Sequence, residues 1–290
     1  MKEIVYLNGA MVPRSQAKIP AMDYGFLYGY GLFETMRAYS GTVFRLDSHI
    51  ARLAKSADRL GIAVDIAILK KAVTDTLKAN GLRDARVRLT VSIGEGSLVP
   101  DLHSCTAPSV LVVAAKYTPY ADEVYQRGFR VIVSSIRRNS QSPVPAMKTA
   151  NYMESLLARQ EAKAAGVDDA LFLNEKGQLT EASTSNIFLV SKNVLKTPRH
   201  ESGILPGITK DVILELAPQM GIMVLEADIL LEEIVEADEA FLTNSVVEIM
   251  SVTELNGKAI GEGGPGVITR RLMSGYKNLV LRETRHQPKS

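Results

Sequence analysis

Met147-Lys148-Thr149-Ala150-Asn151-Tyr152 is the stretch from which the rest of the sequence is best interpreted. It follows a proline-rich run, Ser142-Pro143-Val144-Pro145, and it opens a helix-like pattern over residues 151–165. At helical spacing, Tyr152 would lie about one turn from Lys148. A lysine whose pKa is lowered by desolvation can bind a carbonyl group covalently. Taken alone, the stretch is more simply explained by an ordinary surface lysine.

A carboxylate stands at the head of an apolar strand in Leu179-Thr180-Glu181-Ala182-Ser183-Thr184-Ser185-Asn186-Ile187-Phe188. An acid beside a pyridine nitrogen keeps that nitrogen protonated, which allows the ring to accept electrons from a carbanion. The alternative is a hairpin that is merely rich in serine and threonine. The residues by themselves leave both interpretations open.

Two further stretches are suited to an anion. Gly203-Ile204-Leu205-Pro206-Gly207-Ile208-Thr209-Lys210-Asp211 predicts a helix start, where free N–H groups and the positive end of the helix dipole attract a phosphate. Thr243-Asn244-Ser245-Val246-Val247-Glu248-Ile249 follows an apolar strand and can add a hydroxyl group. Arg52 can supply positive charge. The alternatives are a normal helix capped by Thr209 and a solvated surface arginine.

Composition excludes several classes of function. The formal net charge of +2 is too small for a nucleic-acid-binding stripe or a membrane-binding face. No run of about 18 apolar residues indicates a membrane span. The single cysteine, Cys105, cannot form an internal disulfide, which fits a reducing cytosol. We therefore expect a cytoplasmic protein whose partners are small molecules and other copies of the chain.

Periodicity predicts an α/β (α+β) chain in two domains. A hairpin is expected around Asn8-Gly9, helices over 47–60 and 66–79, and strands over 86–93 and 110–115. Further helices are expected over 151–165, 209–220 and 266–278, with strands over 129–134, 170–173, 184–190, 223–226, 240–243 and 248–252. We predict a small N-terminal α/β domain over 1–116, a linker over 117–125 and a larger C-terminal domain over 126–290.

The order of the four stretches resembles that of the fold-type IV enzymes that use pyridoxal 5'-phosphate (PLP). This group contains branched-chain aminotransferases, D-amino-acid aminotransferases and aminodeoxychorismate lyases. The resemblance extends from Leu7-Asn8-Gly9 to the last helix. It implies that PLP lies between a small N-terminal and a larger C-terminal domain. It also implies a homodimer with shared active sites, to which the segment around Tyr28 would be lent by the partner.

The resemblance also implies roles for particular residues. Lys148 would carry PLP as a Schiff base, Glu181 would pair with the pyridine nitrogen, and Tyr152 would hydrogen-bond the ring hydroxyl. The phosphate would be held by a set of four residues, Arg52, Ile208, Thr209 and Ser245.

Within this group the sequence is most similar to aminodeoxychorismate lyases. Branched-chain aminotransferases usually have glycine where this chain has Thr35 and Asn244. The lyase converts 4-amino-4-deoxychorismate to 4-aminobenzoate and pyruvate, a step of folate biosynthesis, through an external aldimine. Thr35 would help to protonate the leaving group, Arg88 and Arg86 would bind a carboxylate, and Asn244 would contact the substrate.

Two alternatives remain open. The motif Lys148-Thr149-Ala150-Asn151-Tyr152 is closer to the corresponding motif of aminotransferases. These enzymes act on branched-chain L-amino acids or on D-amino acids with 2-oxoglutarate. A scaffold protein that binds PLP without chemistry is the other alternative. The presence of Glu181 together with Lys148 and Tyr152 argues against a scaffold, because binding alone needs no acid at the ring.

Overall fold

The computed structural model describes residues 3–285, which form two compact units. Within these residues, unit 1 consists of 3–118, 147–151 and 280–285, and unit 2 consists of Pro119–Ala146 and Tyr152–Leu279. The chain is a mixture of helices and sheets, which confirms the predicted α/β class. The predicted domain bounds, 1–116 and 126–290 with a linker over 117–125, stay a prediction.

Unit 1 is built on a six-stranded sheet whose strands all pair in antiparallel fashion, in the order β2-β1-β6-β5-β3-β4. Its elements are β1 (Ile4–Leu7), β2 (Ala10–Pro13), α1 (Tyr24–Tyr28), β3 (Gly31–Tyr39), β4 (Thr42–Val43), α2 (Leu46–Arg59), α3 (Ile66–Ala79), β5 (Ala85–Ser92) and β6 (Ser109–Lys116).

Local sequence signals explain these elements. Asn8 and Gly9 both have positive φ, 46° and 94°, so they form the tight turn that joins β1 to β2. The side chain of Asp65 accepts a hydrogen bond from the Ile68 backbone at 2.9 Å and thereby caps α3. The hairpin and the α3 range are therefore confirmed.

The two faces of the unit 1 sheet differ in chemistry. In β5, Val87 and Leu89 are fully buried beneath the helices, while the intervening Arg86 and Arg88 are exposed. This alternation follows from the period of two along a strand. The apolar face packs against α2 and α3, and the other face carries the polar side chains that concern the candidate site.

Residues 147–152 lie before the helix and contain no helical turn, which contradicts the helical spacing expected between Lys148 and Tyr152. The backbone of Phe33 donates to the Lys148 carbonyl at 2.8 Å, and Ala150 donates to the Gly31 carbonyl at 2.8 Å. A bridge between Leu32 and Thr149 completes this pairing. The predicted helix over 151–165 is confirmed and spans Met153–Ala164, but Lys148 and Tyr152 both precede it, because the backbone groups of residues 148–150 bond to β3 rather than to a turn of their own.

Unit 2 contains a nine-stranded sheet in the order β12-β11-β10-β13-β14-β7-β8-β9, with β15 paired to β14. Since β9 also pairs with β10, six of the strands close into a ring. The elements are α4 (Asp122–Arg127), β7 (Phe129–Arg138), α5 (Met153–Ala164), β8 (Asp169–Asn174), β9 (Leu179–Ala182), β10 (Asn186–Ser191), β11 (Val194–Pro198), α6 (Ile208–Gln219), β12 (Met223–Ala227), α7 (Leu231–Val235), β13 (Glu239–Asn244), β14 (Glu248–Leu255), β15 (Lys258–Ala259) and α8 (Val267–Arg285).

Some short elements were not predicted. α4 begins inside the predicted linker 117–125, and α1, α7 and β11 were missed because short segments carry few periodic positions. α8 continues past the predicted end at Asn278, because the buried Leu279 and Val280 extend its apolar face. No helix within residues 3–285 is long and apolar enough to cross a membrane.

Leu89→Ala tests the unit 1 core. Leu89 is fully buried in the central strand β5, so we expect a loss of about 2–5 kcal/mol in the free energy of unfolding. Urea unfolding followed by circular dichroism measures the change. Ile68→Ala, at a half-exposed position of α3, is the control and should change stability far less. Equal losses for the two variants would contradict this account of the core.

Candidate active site

The residues predicted to form a site are divided between the two units, and each set is described within its own unit. Unit 1 holds Tyr28, Thr35, Arg52, Arg86, Arg88 and Lys148. Unit 2 holds Tyr152, Glu181, Ile208, Thr209, Asn244 and Ser245.

Lys148 is fixed through its backbone along the start of β3. Its carbonyl accepts the Phe33 N–H, and its partly buried side chain places Nζ 4.7 Å from the centre of the Phe33 ring. An ammonium over a ring face is stabilised electrostatically. The lysine is therefore positioned by both its main chain and an aromatic ring.

Phe33, Thr35 and Arg88 share one face of the unit 1 sheet. Thr35 is the cross-strand partner of Arg88, and the Arg88 guanidinium carbon lies 3.8 Å from the centre of the Phe33 ring. The next pair along the same face is Arg37 with the exposed Arg86. Lys148 thus adjoins a hydroxyl group and cations, which suits an anionic substrate.

Glu34 points to the opposite, helix-covered face of β3. It is fully buried and binds two side chains of α2. Its carboxylate accepts Arg52 Nε at 2.8 Å and Arg52 Nη2 at 2.6 Å, and it lies 2.7 Å from His49 Nδ1. We call Glu34, His49 and Arg52 the buried triad. The triad fixes the orientation of the Arg52 guanidinium.

The charge states of the triad follow from its contacts. Burial by itself would raise the pKa of Glu34, but the Arg52 charge and the His49 hydrogen bond lower it to about 2. Burial lowers the pKa of His49, against the opposing effect of Glu34. Since a carboxylate only accepts hydrogen bonds, a neutral His49 carries its proton on Nδ1 and donates it to Glu34.

Tyr28 ends the short helix α1 on the surface of unit 1. The buried Asp23 accepts the Gly25 N–H at 2.7 Å and also binds the hydroxyl groups of Ser92 and Ser109. The Tyr28 ring is edge-on to Tyr24, with 4.9 Å between ring centres. Asp23 thereby sets the position of the helix that presents Tyr28.

Glu181 lies where the strand ring of unit 2 closes. Its Cα partner across that closure is Asn186. Its Oε2 atom accepts the backbone N–H of Leu205 at 3.1 Å, and the Asn186 amide binds both Glu181 and the Leu205 carbonyl. The acid is therefore tied to the loop that begins α6.

Arg138 lies beside the other oxygen of the same carboxyl group. Its Nη2 is 3.8 Å from Glu181 Oε1, and its guanidinium carbon is 4.1 Å from the Phe172 ring centre. Glu154 accepts its Nη1 at 2.8 Å, and Ser155 accepts Nη2 at 3.1 Å. The Arg138 guanidinium therefore places a positive charge beside the carboxyl group of Glu181.

The first turn of α6 begins at Gly207, which supplies no side-chain cap. Ile208 and Thr209 are both buried at this start. A Cβ atom on Gly207 would lie 1.8 Å from Asn186 Oδ1, so only glycine allows this approach. This close approach places the start of α6 next to β10, the strand that begins at Asn186 and pairs with Glu181.

Asn244 and Ser245 lie in the turn between β13 and β14. The Asn244 amide donates to Ser185 at 2.8 Å, and its oxygen accepts the N–H groups of Val246 and Val247. Asn244 therefore organises the turn that carries the half-buried Ser245. Its predicted contact with a substrate stays a prediction.

Tyr152 lies immediately before α5 in unit 2. Its hydroxyl group donates to the Ser183 carbonyl at 3.4 Å. Burial, reinforced by the negative charge of Glu181, raises its pKa above the ordinary value. Tyr152 is therefore a hydroxyl donor near the acid of unit 2.

Comparisons with known proteins identify the family of this chain. The profile of the family "Amino-transferase class IV" matches residues 31–255. The chain is 41% identical over 280 residues to a "Putative branched-chain-amino-acid aminotransferase" of Methanocaldococcus jannaschii, covering 95% of this chain and 96% of that protein.

Two solved structures are also similar. One is a branched-chain amino acid aminotransferase of Escherichia coli, with a TM-score of 0.90, 31% identity and coverage of 100% of this chain and 98% of that one. The other is a "Putative 4-amino-4-deoxychorismate lyase" from Legionella pneumophila, with a TM-score of 0.83, 29% identity and coverage of 93% and 97%. A further branched-chain aminotransferase structure, with a TM-score of 0.91, contains pyridoxamine 5'-phosphate.

The fold and these similarities define an enzyme of the fold-type IV PLP class. Within that class, the chain belongs to the class IV aminotransferase family. Its cofactor is PLP, as the resemblance implied.

The residues of unit 2 suit this cofactor. Glu181 is a buried acid of the kind that can pair with a pyridine nitrogen, and the start of α6 has backbone N–H groups of the kind that can bind a phosphate. The buried hydroxyl of Thr243, next to Asn244, has no hydrogen-bond partner among the described residues. No cluster of metal-binding side chains occurs within 3–285.

The sequence interpretation missed four residues that hold predicted ones in place. They are Phe33, Glu34, His49 and Arg138. Strand alternation places Glu34 among buried apolar residues, and a charge on a buried face signals a buried partner. His49 and Arg52 are three residues apart on α2, so they share one helix face. Those two signals were available and would have indicated the triad.

Glu34→Gln should flatten the acid dependence of stability. The depressed pKa means that the unfolded chain binds this proton more tightly. Glu34 therefore stabilises the fold above the ordinary glutamate pKa, and this contribution is lost as pH falls toward 2. Urea unfolding at several pH values below about 5 should give a smaller slope for the variant. Glu3→Gln, at an exposed ion pair, should keep the slope, and an unchanged slope for Glu34→Gln would refute the assignment.

Proposed function

We propose that this protein is an aminotransferase that transfers the amino group of a branched-chain L-amino acid to 2-oxoglutarate. The observation that carries the proposal is the 41% identity over 95% of the chain to a protein named for that activity. The Escherichia coli structure, named for the same activity, adds support at a TM-score of 0.90. The preference for the lyase derived from the sequence thus becomes the second candidate.

We propose the following holders of the cofactor. Lys148 of unit 1 binds it covalently, and Arg52 of unit 1 binds its phosphate. In unit 2, Glu181 pairs with the ring nitrogen and Tyr152 with the ring hydroxyl. The remaining phosphate ligands are Ile208, Thr209 and Ser245.

PLP supplies an electron-accepting ring when it is bound. The amine of Lys148, when it is not bonded to the cofactor, would be a base for the proton on the α-carbon of the amino acid. Glu181, held by Leu205 and flanked by Arg138, keeps a proton on the ring nitrogen. Arg88 binds a carboxylate of the substrate, and Arg86, on the same sheet face, is suited to the second carboxylate of 2-oxoglutarate.

The second candidate is an aminodeoxychorismate lyase. Thr35 favours it, because a hydroxyl group beside Arg88 can protonate a leaving group and glycine cannot. The similarity to the Legionella protein is compatible with it. Asn244 favours it less, since its amide is used in organising a turn.

We also propose a homodimer in which the segment around Tyr28 contributes to the partner's site. Phe26 is 77% exposed and Leu98 is 79% exposed in unit 1, and Tyr28 donates to the Leu98 carbonyl. Burial of such apolar side chains favours association. A cytoplasmic location stays a prediction from the sequence.

The choice of substrate is tested by two assays on the purified holoenzyme. With L-leucine, the cofactor absorbance should shift to that of pyridoxamine phosphate and recover when 2-oxoglutarate is added. D-Alanine is the control and should give a much slower shift. Release of 4-aminobenzoate from aminodeoxychorismate without any keto acid, together with no response to L-leucine, would establish the lyase instead.

Thr35→Gly separates the two candidates at one residue. If Thr35 delivers a proton in a lyase reaction, the variant should lose about 10²–10⁴-fold in the rate of 4-aminobenzoate formation. If the protein is an aminotransferase, the variant should keep nearly all of its L-leucine turnover, because glycine is usual at this position in branched-chain aminotransferases. Both rates are measured by product chromatography. A drop in L-leucine turnover alone would contradict both expectations, because Thr35 has no proposed role in the aminotransferase reaction.

Lys148→Ala tests the covalent attachment of the cofactor. The variant should lose the visible absorbance of lysine-bound PLP and all turnover, because no other amine is assigned to that position. Lys55→Ala, at an exposed position of α2, is the matched control and should keep both properties. Mass spectrometry after borohydride reduction locates the label. A label that persists in Lys148→Ala would overturn the assignment.

A further inference from the structure

We propose that Glu34, supported by His49, is a positioning residue that presents Arg52 to the phosphate of the cofactor. The inference rests on the proposed function, because it takes Arg52 as a phosphate ligand. It adds two residues to which no role in this chain has been assigned. Neither residue is placed in contact with the cofactor.

The geometry leaves Arg52 little freedom. Glu34 receives two parallel hydrogen bonds, from Nε and Nη2 of the guanidinium, at 2.8 and 2.6 Å. Such a fork fixes the plane of the guanidinium as well as its position. The side chain of Arg52 is 11% exposed, whereas that of Glu34 is 1% exposed. The carboxylate therefore holds the guanidinium from the interior of unit 1.

His49 restrains the carboxylate in turn. Its Nδ1 lies 2.7 Å from Glu34 Oε2, the oxygen that also accepts Arg52 Nη2. Its side chain is 1% exposed, so water does not compete for this bond. His49 and Arg52 both lie on α2, whereas Glu34 lies on β3. The triad thus joins α2 to β3, the strand whose backbone also bonds to Lys148.

A purely structural role is the competing explanation, since the triad also joins α2 to β3. The two explanations differ in what they affect. A structural role changes stability and weakens every ligand alike. A positioning role weakens ligands that carry a phosphate and spares those that lack one. PLP and pyridoxal form this matched pair, because they share the ring and the aldehyde and differ in the phosphate.

The experiment measures the dissociation constants of PLP and pyridoxal for the full chain freed of cofactor. The variants are Glu34→Gln, His49→Gln and Arg52→Ala, and Glu3→Gln serves as a matched control because Glu3 also binds an arginine, at the surface. For Glu34→Gln we expect pyridoxal to bind nearly unchanged and PLP to bind about 10–100-fold more weakly, the factor typical of residues that orient the ligands of a bound metal.

The possible outcomes distinguish a failure of the positioning role of Glu34 from a failure of the phosphate role of Arg52. If Arg52→Ala binds PLP and pyridoxal as the unsubstituted chain does, the proposed phosphate role of Arg52 is wrong. If Arg52→Ala loses PLP affinity but Glu34→Gln does not, the inference is overturned and the role of Arg52 stands. If Glu34→Gln weakens both ligands equally, the triad is structural only, and the inference is overturned.

A second variant covers the case in which Glu34→Gln does not fold, as circular dichroism would show. His49→Gln leaves the Glu34–Arg52 fork in place and removes only its restraint. His49→Gln should also reduce the preference for PLP over pyridoxal, but less than Glu34→Gln does. Glu34→Asp, which keeps the charge, should partly restore that preference. An unchanged preference in a folded His49→Gln would contradict the role of His49.

Discussion

The pairing of residues 147–151 with β3 is the constraint on which the candidate site in unit 1 depends. Three backbone contacts along Gly31, Leu32 and Phe33 hold the segment in place. The role proposed for Lys148, to bind and then release a carbonyl carbon, needs a fixed main chain and a side-chain end that can move. Edge pairing supplies the first, and the long side chain of Lys148 supplies the second.

Each unit orients a charged side chain of the candidate site through contacts with its own interior. In unit 2, Glu181 is anchored by a backbone N–H of the loop before α6, and Asn186 ties that loop to the strand ring. In unit 1, Arg52 is anchored by a buried carboxylate. In both cases a charged group is oriented by partners in the interior. The cost of burying these charges is offset by multiple hydrogen bonds to each of them.

Much of the fold could be predicted from periodicity and capping. The hairpin at Asn8-Gly9, the helix from Ile66 and the strand β5 follow from signals within a few residues. The segment 147–151 could not be predicted in this way, because its conformation is set by pairing with a strand more than a hundred residues earlier in the chain. α1 depends similarly on Asp23 binding Ser92 and Ser109.

The candidate site, too, could be predicted from the sequence only in part. The order of Lys148, Glu181 and the helix start at Ile208 indicated PLP, and the family confirms it. Sequence could not show that the Asn244 amide binds within its own turn, which weakens its value as a marker of substrate.

The route of the chain has a consequence for synthesis on the ribosome. Unit 1 takes residues 147–151 and 280–285 from beyond the segment that builds most of it. Its last contribution includes Glu283, which pairs with Arg45 at 3.0 Å. A chain made from its N-terminus can therefore complete unit 1 only after nearly all of unit 2 has emerged. Unit 1 therefore lacks these late contacts while unit 2 is being synthesised, so the first unit along the chain is not the first that can be completed.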